Sequence, residues 1–275
     1  MLQNLPVYLK AGVPSLVYVV ANTGYDNWAN DGTDASWQRF KNLEQLKKQT
    51  LPTAFPLRSI DKVSIPMAGA SEEVEVTAGI TVTVPVTRMY AKLKVKVVML
   101  KLGMELNNVN VRQIPNICQV ETFAGNGAGE PMNAIPLPDG ATFSSIAFAA
   151  SDLEKNEDKE WAVFYVPENL QGEIETLGGS KSDVAPSDAL VVDVTTEIDG
   201  ERYLYAAYPG GNSLNNFNIQ RNQVYRMTLT ITGEKGQNNP SSNCFVVKPN
   251  GFLSFEPYYR VETGGGYNFA DYLSP

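Results

Sequence analysis

The sequence contains no histidine, only two cysteines and fewer basic than acidic residues. Without histidine it cannot form a Ser-His-Asp or Cys-His nucleophile pair, a histidine general base or a histidine metal ligand. Two cysteines are too few for a four-cysteine zinc site. The 22 Lys+Arg against 30 Asp+Glu leave a net charge of -8, which argues against a nucleic-acid partner because such partners need clustered cations. We therefore expect no enzyme, with no catalytic, metal or cofactor site.

Long apolar runs are also missing. The longest have six residues, as from Leu16 to Ala21, whereas a transmembrane helix needs about 20. The first residues, Met1 to Pro6, show no basic stretch followed by an apolar run, so we predict no signal peptide in this chain. Two interpretations stay open: a cytoplasmic protein, or an exported protein from which the signal has been removed.

Cys118 and Cys244 lie far apart, each beside an apolar residue. Two buried, reduced thiols are the first interpretation. A disulfide between them requires that their backbones meet, which the sequence does not show. A catalytic thiol is disfavoured because no histidine or flanking lysine stabilises a thiolate.

Period-two alternation is the dominant pattern that is present. From Met89 to Met99 apolar residues occupy the odd positions and three lysines occupy even ones, which predicts a half-buried antiparallel strand with one wet face. From Val74 to Val86 the apolar residues occupy even positions instead. Because a regular strand cannot change parity, we expect a bulge, a bend or a change of sheet near Thr87-Arg88.

The rest of the chain repeats this alternation, most clearly from Tyr225 to Ile231, with turn residues between the runs. One segment, from Ser36 to about Gln49, predicts a helix, since apolar residues recur at helical spacing and Pro52 follows. The stretch from Phe123 to Gly140 is rich in Gly and Pro and lacks periodicity. We predict an all-β protein with two tandem β-sandwich domains, over 1–125 and 140–275, joined by a linker or long loop over 126–139, with one short helix in the first domain and an extended tail in the second.

Three groups of side chains could bind a ligand or guard an edge. Lys92, Lys94 and Lys96 indicate a wet sheet face or a guarded edge. Tyr203, Tyr205 and Tyr208, with Trp28 and Trp37, could stack on sugars, although core packing explains the strand tyrosines equally well. The third group consists of oxygen-bearing residues around Gly32, which could hold Ca²⁺ or form a solvated loop: Asp26, Asn27, Asn30, Asp31 and Asp34.

Several phrases resemble one known family when they are taken in order along the chain. They are Leu9-Lys10-Ala11-Gly12 with Tyr18-Val19-Val20-Ala21-Asn22, Ile65-Pro66-Met67-Ala68-Gly69, Arg88-Met89-Tyr90-Ala91-Lys92-Leu93, Phe164-Tyr165-Val166-Pro167-Glu168-Asn169 and Arg221-Asn222-Gln223-Val224-Tyr225-Arg226. Their order resembles the fimbrillins, the subunits of the type V fimbriae of gut and oral anaerobic bacteria, and within that family a minor or tip-like member.

The resemblance implies two transthyretin-like β-sandwich domains in a subunit that is exported as a lipoprotein precursor to the outer membrane and the fimbrium. It also implies that proteolysis removes an N-terminal segment, and that other fimbrial subunits then add a strand to the exposed groove. We place the acceptor edge at Val7 and Leu9. Host or bacterial surface ligands are further expected partners of a tip adhesin. The tail from Ser242 onward lacks an obvious donor strand, which suggests a chain that stops inside a longer protein.

The alternative function is an extracellular carbohydrate-binding module of a glycan-utilisation system. It depends on the tyrosine and tryptophan side chains named above, and it needs them exposed on one surface.

Overall fold

A computed structural model describes residues 11–22, 43–48, 50–52, 65–120, 134–153, 159–175, 181–212, 214–231, 246–247 and 258–264. Nearly all its regular structure is β. The strands are β1 (Pro14–Ser15), β2 (Tyr18–Ala21), β3 (Thr50–Pro52), β4 (Met67–Ala70), β5 (Val74–Glu75), β6 (Thr87–Arg88), β7 (Tyr90–Met99), β8 (Glu105–Pro115), β9 (Ile117–Gln119), β10 (Phe143–Ala149), β11 (Trp161–Pro167), β12 (Asn169–Glu173), β13 (Val191–Ile198), β14 (Glu201–Ala207), β15 (Asn216–Ile219), β16 (Val224–Ile231), β17 (Val246–Val247) and β18 (Tyr258–Gly264). The predicted all-β class is confirmed.

Helical structure is limited to short segments in the described part of the chain. They are α1 (Leu43–Lys47), α2 (Ala150–Leu153) and a 3₁₀ turn over Lys181–Val184. The segment α1 confirms the described part of the predicted helix, whose first residues, 36–42, lie outside the described ranges. No described helix has the length and apolarity needed to cross a membrane.

Two large sheets form a sandwich. Sheet I has the order β11-β7-β16-β18, and sheet II has the order β10-β8-β13-β14-β17. Within sheet I, β7 and β16 are parallel, and their register runs from Lys92 opposite Val224 to Met99 opposite Ile231. Every other pairing in these two sheets is antiparallel. This topology places the most regular strands of the sequence at the centre of the fold.

One hydrophobic core lies between the two sheets, and it follows from the alternation. Leu93 and Met227 of sheet I are fully buried, as are Val111 and Val194 of sheet II, and all four belong to one cluster. The rings of Phe148 and Phe164 meet edge to face across the core, with centroids 5.8 Å apart. Alternate residues of the central strands β7, β16, β8 and β13 therefore supply the two inner faces of the sandwich.

A small sheet of order β2-β4-β6 lies at the start of β7. The predicted parity change is confirmed as a change of sheet, because Arg88 of β6 pairs with Met67 while β7, two residues later, pairs within sheet I. Met89 N donates a hydrogen bond to the carbonyl of Pro66 at 2.8 Å, and this bond fixes the corner.

The hydrogen bonding of both large sheets crosses the predicted linker at 126–139. Strands β7 and β8 precede this segment in the chain, yet β7 pairs with β11 and β16, and β8 pairs with β10 and β13. The alternation identifies the strands but carries no information on their partners. The sheets therefore do not follow the predicted division into 1–125 and 140–275.

Candidate functional site

The predicted acceptor edge at Val7 and Leu9 lies outside the described residues, so it stays a prediction. The first described strands after it in the sequence are β1, which pairs with β5, and β2, which pairs with β4. Tyr18–Ala21 pairs with Met67–Ala70 over four register positions, and among the described strands the order β2-β4-β6 leaves β2 at an edge of the small sheet. An edge strand presents N–H and C=O groups that another strand can bond.

The segment 80–86 differs from the prediction and is the most unusual part of this region. Its sequence alternates as a strand does, and its exposure follows, with Val82, Val84 and Val86 half-buried while Thr81 and Thr83 are exposed. The structure nevertheless assigns no strand to residues 80–86, and the ladder between β4 and β6 stops at Thr87. The segment has the side-chain pattern of a strand without a place in a sheet.

Gly69 allows this segment to approach β4. A Cβ atom at Gly69 would lie 1.9 Å from the carbonyl oxygen of Pro85, well inside van der Waals contact. Pro85 itself has no N–H to donate to a ladder. The two residues together explain why residues 85–86 lie close against β4 while the ladder ends.

A buried ion pair joins the ends of β11 and β16 to the segment after β9. Arg221 and Glu168 have side chains that are 5% and 9% exposed. The Arg221 backbone N, Nε and Nη2 all donate to the Glu168 carboxylate, with Nη2 to Oε2 at 2.8 Å. The guanidinium also donates to the carbonyls of Gln119 and Val120. Since each charge has its counter-charge and several hydrogen bonds, burial is tolerated here.

Neighbouring contacts tie the small sheet to the sandwich at the same place. Arg88 Nη1 donates to Asn222 Oδ1 at 3.1 Å, and the Tyr18 hydroxyl reaches the carbonyl of Val120 at 3.5 Å. The Tyr225 hydroxyl accepts from Gln220 N and donates to the carbonyl of Asn218. Burial raises the pKa of Tyr225 above its ordinary value, so the hydroxyl keeps the proton that it donates. The small sheet is thus held in a fixed position on the sandwich.

The three tyrosines singled out as sugar-stacking candidates do not form one exposed platform. Tyr205 is 2% exposed and belongs to the core, and Tyr203 packs against the same core. Tyr208 is half-buried and meets Phe217 edge to face, with ring centroids 6.0 Å apart. Core packing, the other explanation of this pattern, matches the burial of Tyr203 and Tyr205. Trp28 and Trp37 lie outside the described residues.

The lysine stripe on β7 departs from the prediction at its first member. Lys92 is 1% exposed, so the sheet face at this position is not in contact with water. Strand β7 lies between β11 and β16, so it is not an edge strand. Burial, followed by the charges of Lys94 and Arg226, lowers the pKa of Lys92 to about 8. The Nζ atom of Lys94 lies 5.2 Å from the centroid of the Trp161 ring, a cation–π arrangement.

Lys181 is a buried cation that no sequence pattern distinguishes from the other lysines. It is 3% exposed, and its Nζ donates to the carbonyls of Tyr208, Pro209 and Asn212 at 3.0, 3.4 and 2.8 Å. The same atom lies 4.8 Å from the centroid of the Phe217 ring. The ammonium group therefore holds the loop after β14 in place.

The candidate metal and thiol sites give little further chemistry. The oxygen-rich cluster from Asp26 to Asp34 lies outside the described residues, and within the described ranges no three His, Cys, Asp or Glu side chains come together to hold a metal ion. Cys118 is buried in β9 and forms no disulfide. Cys244 is not among the described residues.

A solved structure from Parabacteroides distasonis, described as a proposed cell adhesion protein, matches 94% of this chain and 78% of its own, at 14% identity with a TM-score of 0.55. The two chains share a fold. Other matches are the tip fimbrial protein of Porphyromonas gingivalis, at 14% identity over 80% of this chain and 70% of that one, and a fimbrilin of the same species, at 15% over 90% and 78%; both have a TM-score of 0.45. At 14% identity the first match shows a shared all-β fold and nothing further.

Sequence comparison adds one match. Residues 164–229 match a family described as a domain of unknown function, DUF4906. No curated protein matches the chain. The matched segment runs from β11 to β16 and includes both Glu168 and Arg221, so the buried ion pair lies within it.

Proposed function

We propose that this chain is a non-enzymatic, cell-surface fimbrial subunit or tip adhesin that assembles by strand addition. The fold shared with a proposed cell adhesion protein supports the adhesive role. The observation that carries the mechanism is the segment 80–86, which has the alternating side chains of a strand but no place in a sheet. A donor strand bonded to this segment would bury the half-exposed valines and use backbone groups that a ladder needs.

The remaining parts of the proposal follow the family resemblance. The chain is exported as a lipoprotein precursor, becomes associated with the outer membrane and the fimbrium, and loses an N-terminal segment by proteolysis. Its partners are other fimbrial subunits, and host or bacterial surface ligands in a tip position. Two tandem sandwich units remain part of the proposal, without the division at 126–139 that the described sheets do not follow.

Thermal melting with donor peptides tests strand addition. The probes are synthetic peptides with the alternating apolar and polar residues of a donor strand. We expect at least one of them to raise the Tm, because a ligand that binds only the folded state stabilises that state. The matched control is a peptide of the same composition with its apolar alternation scrambled. If no donor peptide shifts the Tm more than its scrambled control, strand addition is wrong.

A further inference from the structure

Positive charge is concentrated on sheet I. Its four strands contain five basic residues and one acidic residue, Glu262. The described strands of sheet II contain two basic and four acidic residues. A chain whose net charge is -8 therefore includes one sheet whose own charge is positive, and a local field of this sign attracts anionic partners.

The basic residues of the two central strands share one face of sheet I. Leu93 and Met227 belong to the core, so Lys94, Lys96 and Arg226 lie on the opposite, outer face. The parallel register sets Arg226 opposite Lys94. Because neighbouring strands are about 5 Å apart, these two cations can hold one anionic group between them.

The pKa of a third lysine shows the sign of the field at this face. Lys92 lies two residues before Lys94 in β7 and is 1% exposed. Burial comes first among the causes that lower its pKa to about 8, and the positive charges of Lys94 and Arg226 lower it further. The outer face is therefore an unfavourable place for another cation and a favourable one for an anion.

Carboxylates offset only part of this charge. Glu160, just before β11, accepts a hydrogen bond from Lys96, and Glu262 of β18 lies opposite Arg226 in the register. Arg260, two residues before Glu262, adds a further cation to the same strand. With both carboxylates counted, the five basic residues still leave sheet I with a net positive charge.

Water reaches the upper part of the outer face, formed by Lys94, Lys96, Arg226 and Thr228, which we call the cationic face. All four residues are half-buried. Thr228 lies opposite Lys96 in the register and adds a hydroxyl group. Lys94 Nζ is 5.2 Å from the centroid of the Trp161 ring, and this contact restricts the long lysine side chain. The cationic face thus presents ordered cations and a hydroxyl group beside an aromatic ring.

We propose that the cationic face binds an acidic polysaccharide, a polymer of sugars that carry carboxylate or sulfate groups. The anionic group would lie between Lys94 and Arg226, and a sugar hydroxyl would bond Thr228. The negative charge of the rest of the chain does not prevent this contact, since exposed charges more than about 8 Å apart are largely screened at physiological ionic strength. The inference rests on the adhesive role proposed above, but its test uses no donor peptide, so the two can fail separately.

A nucleic acid fits the cationic face less well. Duplex DNA carries one charge for about every 1.7 Å of its axis. The three cations of the cationic face would leave most of these charges unneutralised beside a chain of net charge -8. An acidic polysaccharide separates its charges by sugar rings with neutral hydroxyl groups, so it needs fewer cations and can also use Thr228.

Isothermal titration calorimetry of the full chain at low ionic strength tests the proposal. The probes are heparin oligosaccharides, which carry sulfate and carboxylate groups, and oligogalacturonates, which carry carboxylates alone. Neutral dextran oligosaccharides are the control. We expect at least one acidic probe to bind and dextran not to bind. Lys94→Gln/Arg226→Gln should bind the acidic probe about three- to tenfold more weakly, the effect of losing two exposed charge contacts.

A second double variant provides the matched control. Lys48→Gln/Lys101→Gln removes the same charge from exposed positions outside sheet I and should bind as the wild type does. Arg226→Gln alone replaces the first double variant if circular dichroism shows the latter unfolded. The proposal is overturned if neither acidic probe binds, if the two double variants bind alike, or if a single-stranded DNA oligonucleotide of equal charge binds as tightly as the polysaccharide.

Discussion

Replacing Glu168 by Ala should destabilise the fold far more than an ordinary loss of a surface charge. The substitution removes the carboxylate that accepts from three nitrogen atoms of Arg221, and it leaves a guanidinium that is 5% exposed with only the two carbonyls of Gln119 and Val120. Leaving one partner of a buried ion pair uncompensated costs about 3–5 kcal/mol. For a protein of this size, that loss corresponds to a Tm lowered by about 10 °C.

Urea denaturation measures this change, and a second ion pair provides the control. Glu197 accepts from Arg202 Nε at 3.1 Å, with both side chains more than a third exposed. Because exposed pairs contribute little, Glu197→Ala should change the free energy of unfolding by less than about 1 kcal/mol. The double variant Glu168→Leu/Arg221→Met should recover much of the stability lost in Glu168→Ala, since it leaves no buried charge. Equal losses for Glu168→Ala and Glu197→Ala would refute the reasoning.

Three further predictions concern single side chains. The free energy of unfolding of the wild type should rise between pH 8 and 9.5, because the unfolded chain still binds a proton at Lys92 (ordinary pKa 10.5) that the folded chain, with a pKa of about 8, has lost. Lys92→Met should remove most of this rise. Urea denaturation at both pH values measures it, and an equal rise in both proteins counts against the prediction. Tyr225→Phe should cost about 1–3 kcal/mol in urea denaturation, since the Gln220 N–H loses its acceptor, and a neutral result would be inconsistent with that bond. Gly69→Ala should lower the free energy of unfolding by about 1–3 kcal/mol, and with it the Tm, because the added Cβ overlaps Pro85. An unchanged Tm would contradict the close approach of Pro85 to β4.

The strands were predictable because in a half-buried strand apolar residues on the inner face alternate with polar residues on the outer face. The runs at 89–99 and 225–231 are strands β7 and β16, and the parity change at Thr87-Arg88 is the passage between sheets. The turn Asp199-Gly200 is a further readable signal, since both residues have the positive φ of a two-residue hairpin. Local patterns such as these need no knowledge of the rest of the chain.

Long-range pairing and burial could not be predicted in the same way. Nothing in the alternation of β7 indicates that it lies parallel to a strand more than a hundred residues later. Lys92 occupies a position that looks wet in sequence, and only the packing around it makes it buried. The segment 80–86 also has the alternation of a strand, because the sequence determines which side chains are apolar but not whether another strand pairs with the segment. The acceptor edge at Val7 and Leu9 stays a prediction.

Amide hydrogen exchange tests strand addition most directly, because it locates the added strand. The full chain is compared with and without the donor peptide that raises its Tm. We predict that the amides of residues 81–84 and 86 become protected on binding, while those at the centre of β7, already within sheet I, change little. Unchanged exchange at 81–84 and 86 in the presence of a bound donor peptide would contradict the proposed site of strand addition.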